Sequence, residues 1–223
     1  MEVIKIVHPH NHTKDSWPPL SMALGFFDGV HLGHQKVMQN AKEKAAELGL
    51  KSAVMTFDPH PSAVLGDPQE QIRYITPINE KIKIVAQLGI DYLFIVHFSK
   101  AFANLDPEAF IDQYIIDLNV SHVSAGFDYT YGKFGKGTMD TIKTHAKGYF
   151  STTTIPQLKR DNAKISSSLI RSYLKEGSVE KIPPLLGRYY TVSGPVVQGD
   201  QRGRQLGFPT ANVAVSEDFI TPP

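Results

Sequence analysis

The chain has 223 residues, of which 41% are apolar and 20% are charged, and its formal net charge at pH 7 is +1. These values predict a globular protein of one or two domains and give no general reason to expect nucleic acid or an anionic membrane as a partner. Cysteine is absent, which excludes disulfides, thiolate zinc sites and cysteine nucleophiles and is compatible with a reducing compartment. The first residues lack the apolar core of a signal peptide and no apolar run is as long as a membrane span, so we expect a cytoplasmic protein.

Strand-like and helix-like segments alternate along most of the chain. Apolar runs typical of strands span residues 21–27, 52–57, 91–98, 120–127 and 148–156. Helical periodicity spans residues 35–48, 77–88, 107–118 and 166–176. This alternation predicts an α/β fold with a parallel sheet and helices on both faces. Ligands of such sheets bind beyond the carboxyl ends of the strands, which places the candidate site at residues 27–28, 57–60, 97–98 and 127–128.

Two histidines three residues apart stand at the predicted start of the first helix. They are His31 and His34 in "GFFDGVHLGHQKVM", residues 25–38. Positions three apart share a helix face, and the free N–H groups at the start of a helix attract phosphate. Gly33 lets an anion approach the backbone closely. A zinc site would need a further ligand, and the zinc motif H-E-x-x-H has a different spacing. Two histidines at a helix start by chance remain the alternative.

Three serines precede the last predicted helix in "KISSSLIRSYL", residues 164–174. Serine is a preferred N-cap, so capping alone could explain one of them. The remaining hydroxyls, together with Lys164 and Arg171, suit a polyphosphate ligand.

Three further segments allow both a functional and a structural interpretation. The glycine-rich segment "GFDYTYGKFGKGT", residues 126–138, lacks the lysine of a P-loop, so it is either a flexible substrate loop or an ordinary surface loop. His60 stands between two prolines at a predicted strand end, and it either lines the site or has a structural role. His8, His10 and His12 have a spacing that could bind a metal from a strand, although we expect a solvated terminal segment.

Helical periodicity stops near residue 182, and short β-type runs then alternate with glycine turns. This change predicts the start of an all-β module. Pro183 and Pro184 form a plausible boundary, which gives a first domain at residues 1–182 and a second, partial one at residues 183–223. So few residues after the boundary seldom hold a core alone.

Four motifs, taken in order, resemble the prokaryotic bifunctional riboflavin kinase/FAD synthetase family. They are "GFFDGVHLGHQKV", "FDPHP", "GFDYTYGKFGKG" and "ISSSLIR", and the first and last resemble the HxGH and ISSTxxR signatures of the family's FMN adenylyltransferase module. The segment "GDQRGRQLGFPTAN", residues 199–212, resembles the opening of its riboflavin kinase domain. Ser168 stands where the family usually has threonine, and Tyr129 and Tyr131 stand where phenylalanines are common. The chain stops before the glutamate that serves as base in the family's kinase domain.

The resemblance implies a Rossmann-like nucleotidyltransferase domain followed by the start of a barrel-type riboflavin kinase domain. It also implies the reaction of ATP with FMN to give FAD and pyrophosphate, with Mg²⁺. Riboflavin phosphorylation is expected only of a chain with a complete kinase domain.

The resemblance also assigns site residues. The catalytic set is His31, His34, Ser167, Ser168 and Arg171. The ATP-binding set is Gly25, Phe26, Phe27, Asp28, Gly29, His31, Gly33 and His34. The flavin set is Asp58, His60, Pro61, Asp128, Tyr131 and Gly132. In the kinase segment the set is Gly203, Gly207, Thr210 and Asn212, of which Thr210 and Asn212 would bind Mg²⁺ with ATP.

Two other functions remain open from the sequence. One is a related HxGH nucleotidyltransferase with another acceptor, and the other is a flavin-binding or regulatory protein without enzymatic activity. The expected partners are nucleotides and flavins, without nucleic acid or membrane, and the expected assembly is a monomer or a weak homo-oligomer.

Overall fold

A six-stranded parallel sheet forms the centre of the computed structural model, which describes residues 1–67, 69, 71–160, 163–199, 207–208 and 210–223. The strands of this sheet are β1 (Glu2–Ile6), β2 (Leu20–Leu24), β3 (Lys51–Asp58), β4 (Tyr92–His97), β5 (Val120–Gly126) and β8 (Ser151–Ile155). Short strands outside it form antiparallel pairs, and they are β6 (Thr130–Tyr131), β7 (Gly137–Thr138), β9 (Lys159–Arg160), β10 (Ala163–Lys164), β11 (Val196–Val197) and β12 (Asn212–Val213).

Helices connect and cover these strands. They are α1 (Leu32–Leu48), α2 (Pro61–Leu65), α3 (Ile78–Gln87), α4 (Lys100–Ala103), α5 (Pro107–Ile111), α6 (Ile142–His145), α7 (Ser167–Glu176) and α8 (Pro183–Leu186). A π-helical turn, Asp112–Ile116, continues α5, and 3₁₀ turns lie at Lys14–Ser16, Lys133–Gly135 and Val179–Lys181. Within the described ranges, no helix combines the length and the apolar character needed to cross a membrane.

The order of the strands reverses at β2. The sheet order is β1-β4-β3-β2-β5-β8, and every pairing within it is parallel. From β2 the chain passes through α1 to β3 on one side, and later it returns to place β5 on the other side. Ligands of open α/β sheets bind at such a reversal, beyond the carboxyl ends of the strands. The segment that follows β2 therefore lies where a ligand is expected.

Both faces of the sheet are buried under helices. In β2, Ala23 packs in a cluster with residues of α1 and α3, whereas Met22 and Leu24 pack with residues of α5 and the π-helical turn. Successive side chains of a strand point to opposite faces, so a strand buried on both faces is mainly apolar, as β2 is apart from Ser21. The predicted α/β fold with a parallel sheet and helices on both faces is confirmed.

Helix α1 follows its prediction with two differences. It begins at Leu32, earlier than predicted, and its last residue is Leu48, which is followed by Gly49 in the left-handed conformation with φ of 67°. The buried face contains Met38, while Leu48 at the end of the helix is exposed. Glycine adopts this conformation without the steric cost of a Cβ atom, which explains the stop at Gly49.

The terminal segment is mostly exposed, but its three histidines are half-buried. The ring of His10 packs edge-on against Tyr114 at a centroid distance of 4.8 Å, and the ring of His12 lies 5.5 Å from Trp17. His8 is likewise in ring contact with Tyr114. The aromatic side chains beside the sheet offer apolar surface that covers these imidazoles.

The segment after residue 182 packs on the preceding helix. Leu185 and Leu186 of α8 share a buried cluster with Ile170 and Leu174 of α7 and with Ile220. The predicted boundary at Pro183 therefore falls on a packed helix. Beyond it, β11 and β12 form an antiparallel pair. The division into residues 1–182 and 183–223 stays a prediction.

Candidate functional site

The loop between β2 and α1, residues 25–31, is anchored through its carbonyl oxygens. The oxygen of Phe26 accepts hydrogen bonds from Thr56 Oγ1 and from Lys81 Nζ, each at 2.7 Å. Hydrogen bonds are also accepted by the carbonyl oxygens of Phe27, Asp28, Gly29, Val30 and His31. Each carbonyl from residue 26 to residue 31 is thus bound to a protein donor, which holds the loop in one conformation.

This loop contains two non-glycine residues at positive φ. The φ angles are 57° at Phe27 and 40° at Val30. Such conformations are costly, above all for a β-branched residue like valine, and they persist only where the surroundings enforce them. The hydrogen bonds to the carbonyl oxygens of this loop hold Phe27 and Val30 in these conformations.

The two histidines of the first motif stack on each other at the start of α1. His31 is the N-cap residue, and its Nδ1 accepts a hydrogen bond from the backbone N–H of His34 at 3.2 Å. The ring centroids lie 3.6 Å apart with an angle of 19° between the planes. The prediction that the two side chains share a face is confirmed.

Burial keeps both imidazoles neutral. Desolvation lowers the pKa of His31 to about 4, against the opposing effect of Asp28 and Asp128. Desolvation, followed by the charge of His31, also lowers the pKa of His34 well below its ordinary value. Because Nδ1 of neutral His31 is an acceptor, its proton resides on Nε2. His31 is therefore a fixed neutral donor, whereas Nδ1 of His34 is buried without a partner in the described part of the chain.

The three serines before α7 have three different environments. Ser166 is the N-cap and accepts from the N–H of Leu169 at 3.3 Å. Ser167 Oγ donates to the carbonyl oxygen of Asp28 at 2.8 Å. Ser168 is exposed and lines the cleft, and its hydroxyl has no hydrogen bond to any residue that the structure describes. Capping thus explains one serine, as expected, and Ser168 is left for a ligand.

Arg171 joins the two motifs through Asp28. Its Nη2 donates to Asp28 Oδ2 at 2.5 Å, and its Nη1 donates to the carbonyl oxygen of Arg73 at 2.8 Å. The carboxylate of Asp28 also accepts from the N–H groups of Ile75 and Thr76, at 3.3 and 3.0 Å. Asp28 was expected in the ATP site, and here it is the ion-pair partner of Arg171 and the anchor of residues 75–76.

A cleft of about 860 Å³ opens beside these groups, at the carboxyl edge of the sheet. This volume is within the usual range for small-molecule sites. The predicted residues in its lining are Gly25, Phe26, Phe27, Asp28, His31, Gly33, His34, His60, Pro61, Asp128, Tyr131, Gly132, Ser167, Ser168 and Arg171. Gly29 and Asp58 lie outside the lining, so the structure does not bring these two to the cleft.

One wall of the cleft is formed by the glycine-rich segment. It folds into the antiparallel pair β6–β7, in which the Tyr131 hydroxyl lies 2.7 Å from Nδ1 of His145. Gly132 has φ of 71°, and a Cβ there would lie 2.7 Å from the backbone of Pro107. On the same wall, Lys164 pairs with Asp128 at 2.8 Å. The segment is therefore a packed hairpin rather than a phosphate-binding P-loop.

His60 caps a short helix and supports the first motif. Its Nδ1 accepts from the N–H of Ser62 at 3.0 Å, and its ring packs edge-on against Phe26 at 4.3 Å. Burial lowers the pKa of His60. His60 therefore has a structural role as a helix cap and also lines the cleft, so both interpretations hold.

Sequence reasoning missed two cations that hold the β2–α1 loop. Lys81 is buried, lies 4.3 Å from the centroid of the Phe26 ring, and has its pKa lowered to about 8 by burial. The sequence pattern that could have indicated its burial is its place on the apolar face of α3, three residues after Ile78 and four before Val85. The second cation, Arg188, donates to the carbonyl oxygens of Gly29 and Val30 at 2.8 and 3.2 Å. No local pattern marked it.

The predicted kinase residues that the structure describes do not line the cleft. Gly207, Thr210 and Asn212 are exposed, and Gly203 lies outside the described residues. Among the residues that the structure describes, no cluster of three or more histidine and acidic side chains could hold a metal ion. The Mg²⁺ assignment to Thr210 and Asn212 stays a prediction.

Comparisons with known proteins match both parts of the chain. Family models described as FAD synthetase and Riboflavin kinase match residues 13–169 and 186–223. The bifunctional riboflavin kinase/FMN adenylyltransferase of Bacillus subtilis (strain 168) is 52% identical over 223 residues, covering 100% of this chain and 71% of that protein. The protein of that name from Listeria monocytogenes is 47% identical, with the same coverage of 100% and 71%.

A crystal structure described as a macrolide-efflux protein from Streptococcus pneumoniae has a TM-score of 0.87 at 31% identity, over 100% of this chain and 72% of that one. The predicted nucleotidyltransferase fold followed by the start of a β domain is confirmed. Since one family model matches more than half of the chain and the relatives align over its whole length, the chain belongs to the family of bifunctional riboflavin kinase/FMN adenylyltransferases.

Proposed function

We propose that this chain transfers the adenylyl group of ATP to FMN, producing FAD and pyrophosphate. One observation carries the proposal. Ser167 and Arg171 bind Asp28 across 139 and 143 residues of sequence, and so join the ISSSLIR and HLGH segments at the edge of one cleft. This arrangement supports a single phosphate-binding site composed of both motifs.

The reaction requires no nucleophile from the protein. A phosphate oxygen of FMN attacks the α-phosphorus of ATP, a new P–O bond forms, and the bond from the α-phosphorus to the bridging oxygen breaks to release pyrophosphate. The protein then contributes alignment of the reactants and stabilisation of the charge that develops on the phosphate oxygens.

The histidines are assigned to the α-phosphate. His31 donates from Nε2–H as a neutral group, because its Nδ1 is engaged with the N–H of His34 and its pKa is lowered to about 4. His34, whose Nδ1 has no partner among the described residues, can adjust its tautomer to the ligand. This arrangement supports hydrogen-bond donation rather than acid–base catalysis at neutral pH.

The start of α7 is assigned to the β- and γ-phosphates. The Ser168 hydroxyl is exposed at the cleft, and the first N–H groups of the helix favour an anion. Arg171 is held by Asp28 and by the carbonyl of Arg73, so its guanidinium is oriented before ATP binds. The part of the cleft lined by His60, Pro61, Asp128, Tyr131 and Gly132 is assigned to the flavin.

A magnesium ion fits this site through one carboxylate. Mg²⁺ is usually held by one or two carboxylates together with substrate phosphates. Asp28 is occupied by Arg171 and two backbone N–H groups, whereas Asp128 is exposed at the cleft and bound to Lys164. Asp128 would therefore be the protein ligand. When bound, the ion neutralises charge on the triphosphate.

The match of residues 186–223 to the riboflavin kinase model favours a second assignment. These residues would be the start of a kinase domain in which Thr210 and Asn212 bind ATP with Mg²⁺.

The absence of cysteine supports the further prediction that the protein acts in the cytoplasm.

The test is incubation of the purified chain with ATP labelled at the α-phosphate, with and without FMN, followed by separation of the products. We expect labelled FAD and unlabelled pyrophosphate that depend on FMN. The variant His34→Ala should lower turnover by about 10²–10³-fold, the usual effect of losing one preorganised donor. Binding of both substrates without product, or adenylylation of a different acceptor only, would overturn the proposal.

A further inference from the structure

Arg188 belongs to the segment matched to the riboflavin kinase model, yet its side chain binds the loop that carries the HLGH motif. Nη2 donates to the carbonyl oxygen of Gly29 at 2.8 Å, and Nη1 donates to that of Val30 at 3.2 Å. Val30 directly precedes His31. The guanidinium therefore holds the two peptide units that lead into the first histidine.

Gln35 binds the same region. Its Nε2 donates to the carbonyl oxygens of Val30 and Leu186, both at 2.8 Å. Nη1 of Arg188 also reaches the carbonyl oxygen of Leu186, at 3.4 Å. Two side chains thus share two acceptors, one in the β2–α1 loop and one at the end of α8. This doubly held contact ties the loop to the kinase-matched segment.

The backbone conformation of the loop requires such support. Val30 is a β-branched residue with φ of 40°, a conformation that its surroundings must enforce. The approach of the two segments is also close, since a Cβ at Gly187 would lie 2.8 Å from Cδ2 of Leu32. Gly187 itself has φ of 71°. The backbone turn at Gly187, which has no Cβ to clash with Leu32, therefore lets the next residue, Arg188, reach the loop.

The guanidinium is partly desolvated, and no carboxylate pairs with it among the described residues. Burial lowers the pKa of Arg188, and the side chain also approaches Thr76 Oγ1 at 3.5 Å. A half-buried cation whose partners are carbonyl and hydroxyl oxygens is costly if it serves packing alone. In its position next to the proposed phosphate-binding loop, the guanidinium can hold the loop carbonyls through its hydrogen bonds.

We propose that Arg188 is a positioning residue for adenylyl transfer, so that the segment matched to the kinase model completes the site of the segment matched to the FAD synthetase model. The inference rests on the proposed function. Arg188 holds Gly29 and Val30 so that the Nε2–H of His31 has a fixed direction toward the phosphates.

The test compares Arg188→Ala and Arg188→Lys with Tyr189→Ala in steady-state FAD synthesis. Displacement of a reacting group by about 1 Å costs on the order of 10²-fold in rate. We expect a loss of kcat of this order in Arg188→Ala, with a much smaller change in KM for FMN. Lysine lacks the planar fork that binds two acceptors and should restore only part of kcat. Tyr189, which is 82% exposed, should be replaceable without effect.

A double-mutant cycle with Gln35→Leu provides a readout that a purely structural role would not move. Because Gln35 and Arg188 donate to the same two carbonyls, each can partly hold the loop when the other is lost, so the loss in kcat of the double variant should exceed the product of the single losses. Free guanidinium ion at millimolar concentration should raise kcat of Arg188→Ala and leave the wild type unchanged.

Wild-type kcat in both Arg188 variants, measured well below their unfolding temperatures, would overturn the inference. Independent losses in the cycle would do the same. If Arg188→Ala does not fold, the comparison of Arg188→Lys with the wild type decides. A wild-type chain that forms no FAD would overturn both proposals, whereas full activity without Arg188 would overturn only this one.

Discussion

His31 has two separate tasks in the structure, and substitutions can separate them. Its Nδ1 caps α1 by accepting from the N–H of His34 at 3.2 Å, while its Nε2–H is the proposed donor to phosphate. In His31→Asn the amide oxygen can replace Nδ1 as the cap, since asparagine is among the preferred N-cap residues, but no donor remains at the position of Nε2. His31→Ala removes both functions. Both variants lose the imidazole that stacks on His34.

The two variants should therefore differ in stability and agree in turnover. Loss of an N-cap costs about 1 kcal/mol, so the alanine variant should be the less stable by about this amount, or by about 2–4 °C in Tm for a chain of this size. Loss of the donor costs about 2.7–4 kcal/mol of transition-state stabilisation, so kcat should fall by about 10²–10³-fold in both. His31→Gln, whose amide nitrogen can reach the position of Nε2, should retain more turnover than either.

The measurements are FAD formation under saturating ATP and FMN, and thermal unfolding of the same preparations. If His31→Asn keeps kcat within a few-fold of the wild type, the assigned role of Nε2–H is wrong. If kcat follows Tm across the three variants, His31 acts through the helix rather than on the phosphate.

Three further results are expected. Ser168→Ala should weaken FAD synthesis without changing stability in urea, whereas Ser166→Ala, which loses the α7 cap, should lower the free energy of unfolding by about 1 kcal/mol. Burial lowers the pKa of Lys81 to about 8. Above this pH the folded chain loses the proton, while the unfolded chain keeps it up to the ordinary pKa of lysine, so the wild type should gain stability relative to Lys81→Met as pH rises above 8. An equal pH dependence of the free energy of unfolding in both proteins, measured in urea, would contradict this. Because the pKa of His31 is lowered to about 4, stability should fall as pH decreases from about 6.5 to 4, and less so in His31→Asn, as measured by denaturant unfolding.

Local interactions made much of the fold predictable. Helix starts and stops were found correctly where a cap is built from neighbouring residues, as at Ser166 and Gly177 of α7. A strand buried on both faces was recognisable as a nearly continuous apolar run at residues 52–57, which are all buried in β3. The two signature segments were also found in the sequence, because each is a short pattern whose chemistry lies within a few residues.

Most of the missing predictions concern contacts between distant residues. The histidines near the N-terminus were expected in solvent, but His10 packs on Tyr114, more than a hundred positions later. Arg171 was expected to bind phosphate, but its ion pair with Asp28, 143 positions earlier in the chain, was not predicted. Lys81 was overlooked because its partner, the carbonyl of Phe26, is a backbone group that no side-chain pattern reveals.

The sequence by itself determined the type of fold, the order of its elements and the two segments to which we assign phosphate binding. Only the tertiary structure decided that these segments meet, because the meeting depends on the strand order that places the start of α1 at the reversal of the sheet. It also decided which groups hold the HLGH loop in its strained conformation. Those donors, Lys81 and Arg188 among them, come from elements remote in sequence, and their contacts exist only once the chain has packed.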